Sequence, residues 1–214
     1  KHGTVIIKNN NHIFEVTSLR KDSLPSGRYS SVIFHNSWKM DASRRDLTIN
    51  AIYLDLGGNI FDPFEGIKDL MTGRVEFIGK MADRLKEDYL RLLRYIRFYS
   101  KYSKFEINEK KITIIKKYAK KIKILSKERI IDEQRKIFSE DLEISLRSAE
   151  IMRETNLDIE CYGEKFEFSK IRELKKILTK VSWIKKISIL FHKSNNRNLL
   201  KNLPVSLKER EIFY

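Results

Sequence analysis

Cysteine is nearly absent from this 214-residue chain. Cys161 stands alone, which excludes an intramolecular disulfide and any zinc site built from several thiolates. Histidine is scarce too, and His2, His12, His35 and His192 lie too far apart in sequence to form a local metal motif. Three prolines and eight glycines are few for a chain that turns as often as a sandwich or barrel does, so helix should dominate. No stretch approaches the roughly 18 consecutive apolar residues of a membrane span, and no charged-then-apolar leader opens the sequence; the default location is cytoplasmic. Acidic residues are outnumbered, 29 Asp and Glu against 44 Lys and Arg, and the formal charge of +15 favours a polyanionic partner.

What is present suffices for a core: 41% of residues are apolar and 11% aromatic, so the charge does not imply disorder. From Thr4 to Leu19, β-branched residues flank the polar run Lys8-Asn9-Asn10-Asn11 and predict a hairpin whose second strand carries Glu15. Arg20 to Arg28 holds Asp22, Pro25, Ser26 and Gly27 and is expected to be an exposed, mobile loop. Ala51 to Asp62 predicts two short strands around Gly57-Gly58. Beyond about Lys80 the period turns helical. Residues 83–101 are expected as one strong helix, and Ile115, Tyr118, Ile122 and Leu125 stripe a second among lysines. A third opens near Ser126 as N-cap, with Glu128 in its first turn. Further helices are expected at about 141–156, 168–180 and 182–193. The fold class is α+β, a β-rich part of roughly 75 residues followed by a helical body.

Within the first strong helix Asp88, Arg91, Arg94 and Arg97 recur every three residues between two apolar rows. At 1.5 Å per residue the row runs about 13 Å, comparable to a nucleoside triphosphate. A carboxylate can accept from an exocyclic amine of a base, while guanidiniums donate to ring acceptors or phosphate oxygens. The plain structural alternative is a helix steadied by an Asp88–Arg91 ion pair with its other arginines exposed.

Further motifs accompany that row: Arg44-Arg45-Asp46-Leu47-Thr48-Ile49-Asn50-Ala51, then Asp62-Pro63-Phe64-Glu65-Gly66-Ile67-Lys68-Asp69-Leu70, then Glu87-Asp88-x-x-Arg91, then Glu128-Arg129-Ile130. In this order and spacing they resemble the class II tRNA nucleotidyltransferases, the CCA-adding enzymes, and the related bacterial poly(A) polymerases. The strand Phe14 to Arg20 matches as well, and the resemblance covers about residues 3–140. It implies a partial nucleotidyltransferase palm over 1–79, a helical neck that selects CTP or ATP over 80–140, and a helical RNA-binding body over 141–214. It further implies that Asp88 and Arg91 hydrogen-bond the base edge and that Arg45 with Asp46 contacts sugar and phosphate. By the same resemblance Arg94 and Arg97 line the nucleotide site, Glu87, Glu128 and Arg129 support the neck, and Arg20, Asp22 and Arg28 belong to a mobile loop. The implied substrates are CTP and ATP, the partner tRNA, and the cofactor Mg²⁺.

Two departures matter. The family's Gly-Gly-x-x-Arg-Asp loop and its metal-binding Asp-x-Asp pair occur nowhere in these 214 residues. No metal ligand is therefore assigned in this chain, and Glu15 is at most an auxiliary carboxylate. The expectation is a central part of a longer enzyme, active only when the missing aspartates are supplied by the intact chain or by a companion polypeptide. The alternatives are a poly(A) polymerase, or a non-catalytic RNA- and nucleotide-binding remnant of a split or decaying gene. Glu65 is the second departure, standing where the family has a small residue.

Overall fold

The structure, a computed structural model, describes residues 3–10, 12–22, 32–169 and 181–191. It divides into two compact units, Lys1–Met71 with Glu76–Ile78, and Thr72–Val75 with Gly79–Tyr214.

Among the described residues the first unit contains three two-stranded antiparallel ribbons. Strands β1 (Thr4–Asn9) and β2 (His12–Thr17) pair with Val5 opposite Val16 and Glu15 opposite Ile6, and Asn10 takes the left-handed φ of 51° that the turn needs. Strand β3 (Arg20–Asp22) pairs with β4 (Val32–Phe34), which corrects the expected loop at its start: Arg20 and Asp22 are strand positions. Three residues carry too little pattern to announce a strand, and the partner lies ten residues on. Arg28 falls outside the described residues. Helix α1 (Trp38–Ser43) is capped by the Ser37 side chain, which accepts from Met40 N. After a 3₁₀ turn at Thr48–Asn50, β5 (Tyr53–Leu54) and β6 (Ile60–Phe61) form the hairpin expected around Gly57-Gly58. Asp62 accepts from Gly66 N and Ile67 N at 2.8 and 2.9 Å and starts α2 (Gly66–Thr72). Ala42, Ala51 and Ile78 form a small core under Tyr53 and Phe64. The segment at Glu76–Ile78 pairs back on the Arg45-Asp46 loop, Thr48 N donating to Glu76 O and Ile78 N to Asp46 O.

Among the described residues the second unit is helical: α3 (Met81–Glu87), α4 (Arg91–Tyr102), α5 (Glu109–Ala119), a 3₁₀ turn (Lys120–Ile124), α6 (Lys127–Ser139), α7 (Leu142–Glu154), α8 (Leu157–Tyr162) and α9 (Trp183–Leu190). The single helix expected over 83–101 is two, because the chain breaks at Asp88. Its backbone is extended (φ −155°, ψ 112°), and its Oδ1 accepts from Leu90 N at 3.1 Å, the local bond by which an aspartate competes with a continuous helix. The apolar rows nonetheless bury Leu92, Leu93, Tyr95, Ile96 and Tyr99 of α4, which packs on α6 and α7. Ser126 caps α6 as expected, accepting from Arg129 N at 3.5 Å. The helices expected near 141–156 and 182–193 form as α7 and α9. The one expected at 168–180 lies outside the described residues from 170 on. No described helix is long and apolar enough to cross a membrane.

Candidate nucleotide site

In the first unit the adjacent arginines converge on a carboxylate that sequence reasoning did not single out. Asp41, 1% exposed, accepts from Arg44 Nε and Nη2 at 2.9 and 2.7 Å, from Arg45 Nη2 at 3.0 Å, from the Tyr53 hydroxyl at 2.8 Å and from Arg20 N at 3.3 Å. Burial pushes the Asp41 carboxyl up, but the Arg44, Tyr53 and Arg20 bonds outweigh it and hold the group down at about 2. Asp41 thus fixes the direction of Arg45, which is half-exposed. An acid three and four residues ahead of two arginines, at the end of a short helix, was the available signal. Asp46 is buried in its own loop, Oδ1 accepting from Leu47 N and Asn50 Nδ2 at 3.0 Å each. Its side chain shapes the turn that presents Arg45.

In the second unit the charged row separates into parts. Asp88 pairs with Arg129 of α6, Arg129 Nη2 to Asp88 Oδ2 at 2.7 Å, and not with Arg91 as the structural alternative expected. Arg91 donates through Nη1 to Glu87 at 2.6 Å and to Arg84 O at 3.3 Å. Glu87 also takes Arg84, at 2.9 Å, so it binds the end of α3 to the start of α4. The break at Asp88 therefore leaves a carboxylate and a guanidinium three residues apart, each braced from a different element. Each Asp88 oxygen has accepted one bond here, and a carboxylate oxygen can take two.

Arg94 lies with its guanidinium 5.5 Å from the Phe98 ring centre. Arg97 turns to α6: its Nε meets Glu133 Oε1 at 2.5 Å, and its guanidinium lies 4.3 Å from the Phe98 ring centre. Glu133 is only 2% exposed, so this is an interhelical tie inside the unit. Glu128 sits in the first turn of α6, where a negative charge suits the helix dipole.

The cofactor that the resemblance implies, Mg²⁺, needs several oxygen donors at one place. Among the described residues no three His, Cys, Asp or Glu side chains gather in that way. Glu15, exposed on β2 opposite Ile6, has no second acid across the ladder. The described residues do not fit the ion, and no step is routed through it.

Residues 1–76 match the family model of the poly A polymerase head domain. The chain is 41% identical over 143 residues to the mitochondrial CCA tRNA nucleotidyltransferase 1 of Mus musculus, covering 66% of this chain and 33% of that protein. It is 38% identical over 131 residues to the CCA-adding enzyme of Streptococcus mutans, 60% of this chain and 32% of that one. The crystal structure of the Bacillus stearothermophilus CCA-adding enzyme in complex with CTP superposes with a TM-score of 0.77 at 25% identity, over 100% of this chain and 53% of that chain. The chain spans about a third or less of the length of the curated relatives it matches. The motifs in their order, the α+β architecture and these similarities agree: the chain is similar to the class II tRNA nucleotidyltransferases, the CCA-adding enzymes and bacterial poly(A) polymerases, and its residues 1–76 match their head domain.

Proposed function

We propose that this chain is the nucleotide-selecting part of a CCA-adding enzyme, which extends tRNA 3′ ends from CTP and ATP without a nucleic-acid template. The observation that carries the reading is the pair at the start of α4: the Asp88 carboxylate held by Arg129 and Leu90 N, and Arg91 held by Glu87. Cytosine and adenine both present an amino group beside a ring acceptor on their pairing edges. Asp88 accepts from the amino group and Arg91 donates to the ring nitrogen, whereas uracil and guanine do not offer that order. Bracing both groups before the base arrives lowers the cost of ordering them on binding.

Arg45, aimed by Asp41, contacts sugar and phosphate, and Asp46 serves it by shaping the loop. Arg94, on α4, lines the nucleotide site that begins at Asp88 and Arg91, and Glu87, Glu128 and Arg129 hold the neck. The neck runs over 80–140 and the tRNA-gripping body over 141–214. The net charge of +15 and the exposed lysines 110, 116, 117, 120, 121 and 123 support tRNA as the partner.

The test joins the chain behind a head carrying Gly-Gly-x-x-Arg-Asp and Asp-x-Asp and offers it tRNA lacking its last three nucleotides. Addition that stops after C, C and A is expected. A long run of A, or incorporation of all four nucleotides alike, overturns the reading.

A further inference from the structure

Helix α6 has a second face, turned to a cleft. Arg129 and Glu133 meet α4, whereas Ile130 and Gln134, one position further round each turn, are rotated about 100° from them. On that side a cleft of about 350 Å³ opens between α6, α8 and the 3₁₀ turn, within the range of small-molecule sites. Its walls are mostly apolar, with Ile130, Ile131 and Ile159 among them, and it holds a few polar groups. Gln134 is 0% exposed, yet neither its amide nitrogen nor its amide oxygen has a geometric hydrogen-bond partner among the described residues. Its polar neighbour is the Cys161 thiol, a weak partner. The buried Tyr162 hydroxyl, also of this cleft, is unpartnered as well. Buried amides are ordinarily satisfied, so an orphaned one lining a cleft marks a ligand's place. At the mouth Lys123 pairs with Glu160 at 2.6 Å and Lys127 stands beside them, so two ammonium groups face one carboxylate and the balance is positive.

We propose that this cleft is a second nucleotide site, separate from the start of α4, which takes an adenine base against Gln134 and its phosphate at Lys123 and Lys127. A flat ring suits isoleucine walls. An amide offers one acceptor beside one donor, which matches an amino group next to a ring nitrogen. Adenine presents that pattern on two edges and cytosine on one; uracil can also meet an amide, through its ring N–H and a carbonyl, but its single ring covers less of the isoleucine walls than a purine does. The same chemistry serves a free adenylate or an adenosine within an RNA strand. The proposal does not depend on the CCA-adding reading, because it uses none of the α4 residues.

The experiment is calorimetric titration of the full 214-residue chain carrying Asp88→Asn, which disables the α4 pair, with AMP and UMP. Saturable binding of one AMP per chain is expected, with UMP at least tenfold weaker. Adding Gln134→Leu should weaken AMP at least tenfold without lowering the melting temperature. Lys123→Ala should weaken AMP but leave adenosine unchanged, and this arm stands even if the Gln134 variant fails to fold. The trinucleotide ApApA separates the sources: displacement of AMP at equal or lower concentration identifies an RNA strand, and failure to displace it identifies the free nucleotide. The absence of saturable AMP binding to the folded chain, AMP binding unchanged by Gln134→Leu, or equal affinity for UMP overturns the site.

Discussion

Asp41 and Arg97 show how single charges in this protein are committed to structure before they meet any ligand. Asp41 is held ionised by Arg44, Tyr53 and Arg20 N, its pKa lowered to about 2 from an ordinary value near 3.9. Since the folded value is depressed, the stability it contributes is complete above about pH 4 and is lost as pH falls through about 2. With screening at the exposed ends of its arginines, that contribution is on the order of 1–2 kcal/mol. Asp41→Asn should remove this part of the acid dependence, read as a flatter stability curve between pH 4 and 2. Arg97 answers a different buried carboxylate. Arg97→Ala would strand Glu133, with only Lys136 left at 3.5 Å, and should cost about 3 kcal/mol, or roughly 6–12 °C of melting temperature. Arg97→Lys should recover part of it. A change in triphosphate affinity with no change in melting would instead return Arg97 to the nucleotide site.

At the scale of elements, the entry to α2 is the most constrained turn. Gly66 opens the helix against the 3₁₀ turn, where an added Cβ would stand within contact distance of Thr48 O, a backbone atom that cannot swing away. Gly66→Ala should therefore destabilise by about 1–3 kcal/mol in thermal or urea unfolding. Glu65 just before it sits at φ 55°, which explains why a small residue suits that position. Relief of a left-handed side chain is worth about 1–2 kcal/mol, against roughly 0.5–1 for the extra freedom glycine gives the unfolded chain. Glu65→Gly should raise stability slightly, and a loss in the same assay would show that its exposed pair with Lys68 matters more than the strain.

These elements also show what a linear reading can hold. The β1–β2 and β5–β6 hairpins were legible because alternation and turn residues are local. The Ser126 cap and the Ile115–Tyr118 part of α5 were legible because a helix repeats within four residues, whereas the stripe expected to continue to Ile122 and Leu125 leaves the α-helix at Ala119 for a 3₁₀ turn. The break at Asp88 was not, since the apolar rows continue through it and nothing in Asp-Tyr-Leu demands an extended residue. Strand β3 was hidden because its partner lies across residues 23–31. The members of the charged row were visible, but their partners Arg129, Glu133 and Asp41 are fixed by packing between distant or neighbouring elements, and spacing alone does not choose among them.

For the whole molecule, the excess of Lys and Arg is the property a polyanion would feel. Binding of tRNA to the chain should weaken steeply with salt, and a charge of +15 that engages six to ten phosphates would lose about 10³–10⁵ in affinity between 50 and 200 mM salt. A filter-binding titration at those two concentrations checks it, and undetectable binding at low salt would reduce the lysines to a solubilising surface. The 214 residues by themselves should add no nucleotide to tRNA even with Mg²⁺, because no acid cluster among the described residues holds the ion. Template-independent incorporation above a mock preparation would contradict that.

The most direct measurement of the central claim compares CTP, ATP, UTP and GTP incorporation by the chain joined to an aspartate-bearing head, before and after Asp88→Ala and Arg91→Ala. Each lost charge-assisted bond should cost about 1.5–3 kcal/mol, so preference for CTP and ATP over UTP and GTP should fall roughly 10- to 150-fold, with melting little changed. A uniform fall for all four nucleotides, together with a lowered melting temperature, would reduce Asp88, Arg129, Glu87 and Arg91 to a brace between helices and contradict base selection at the start of α4.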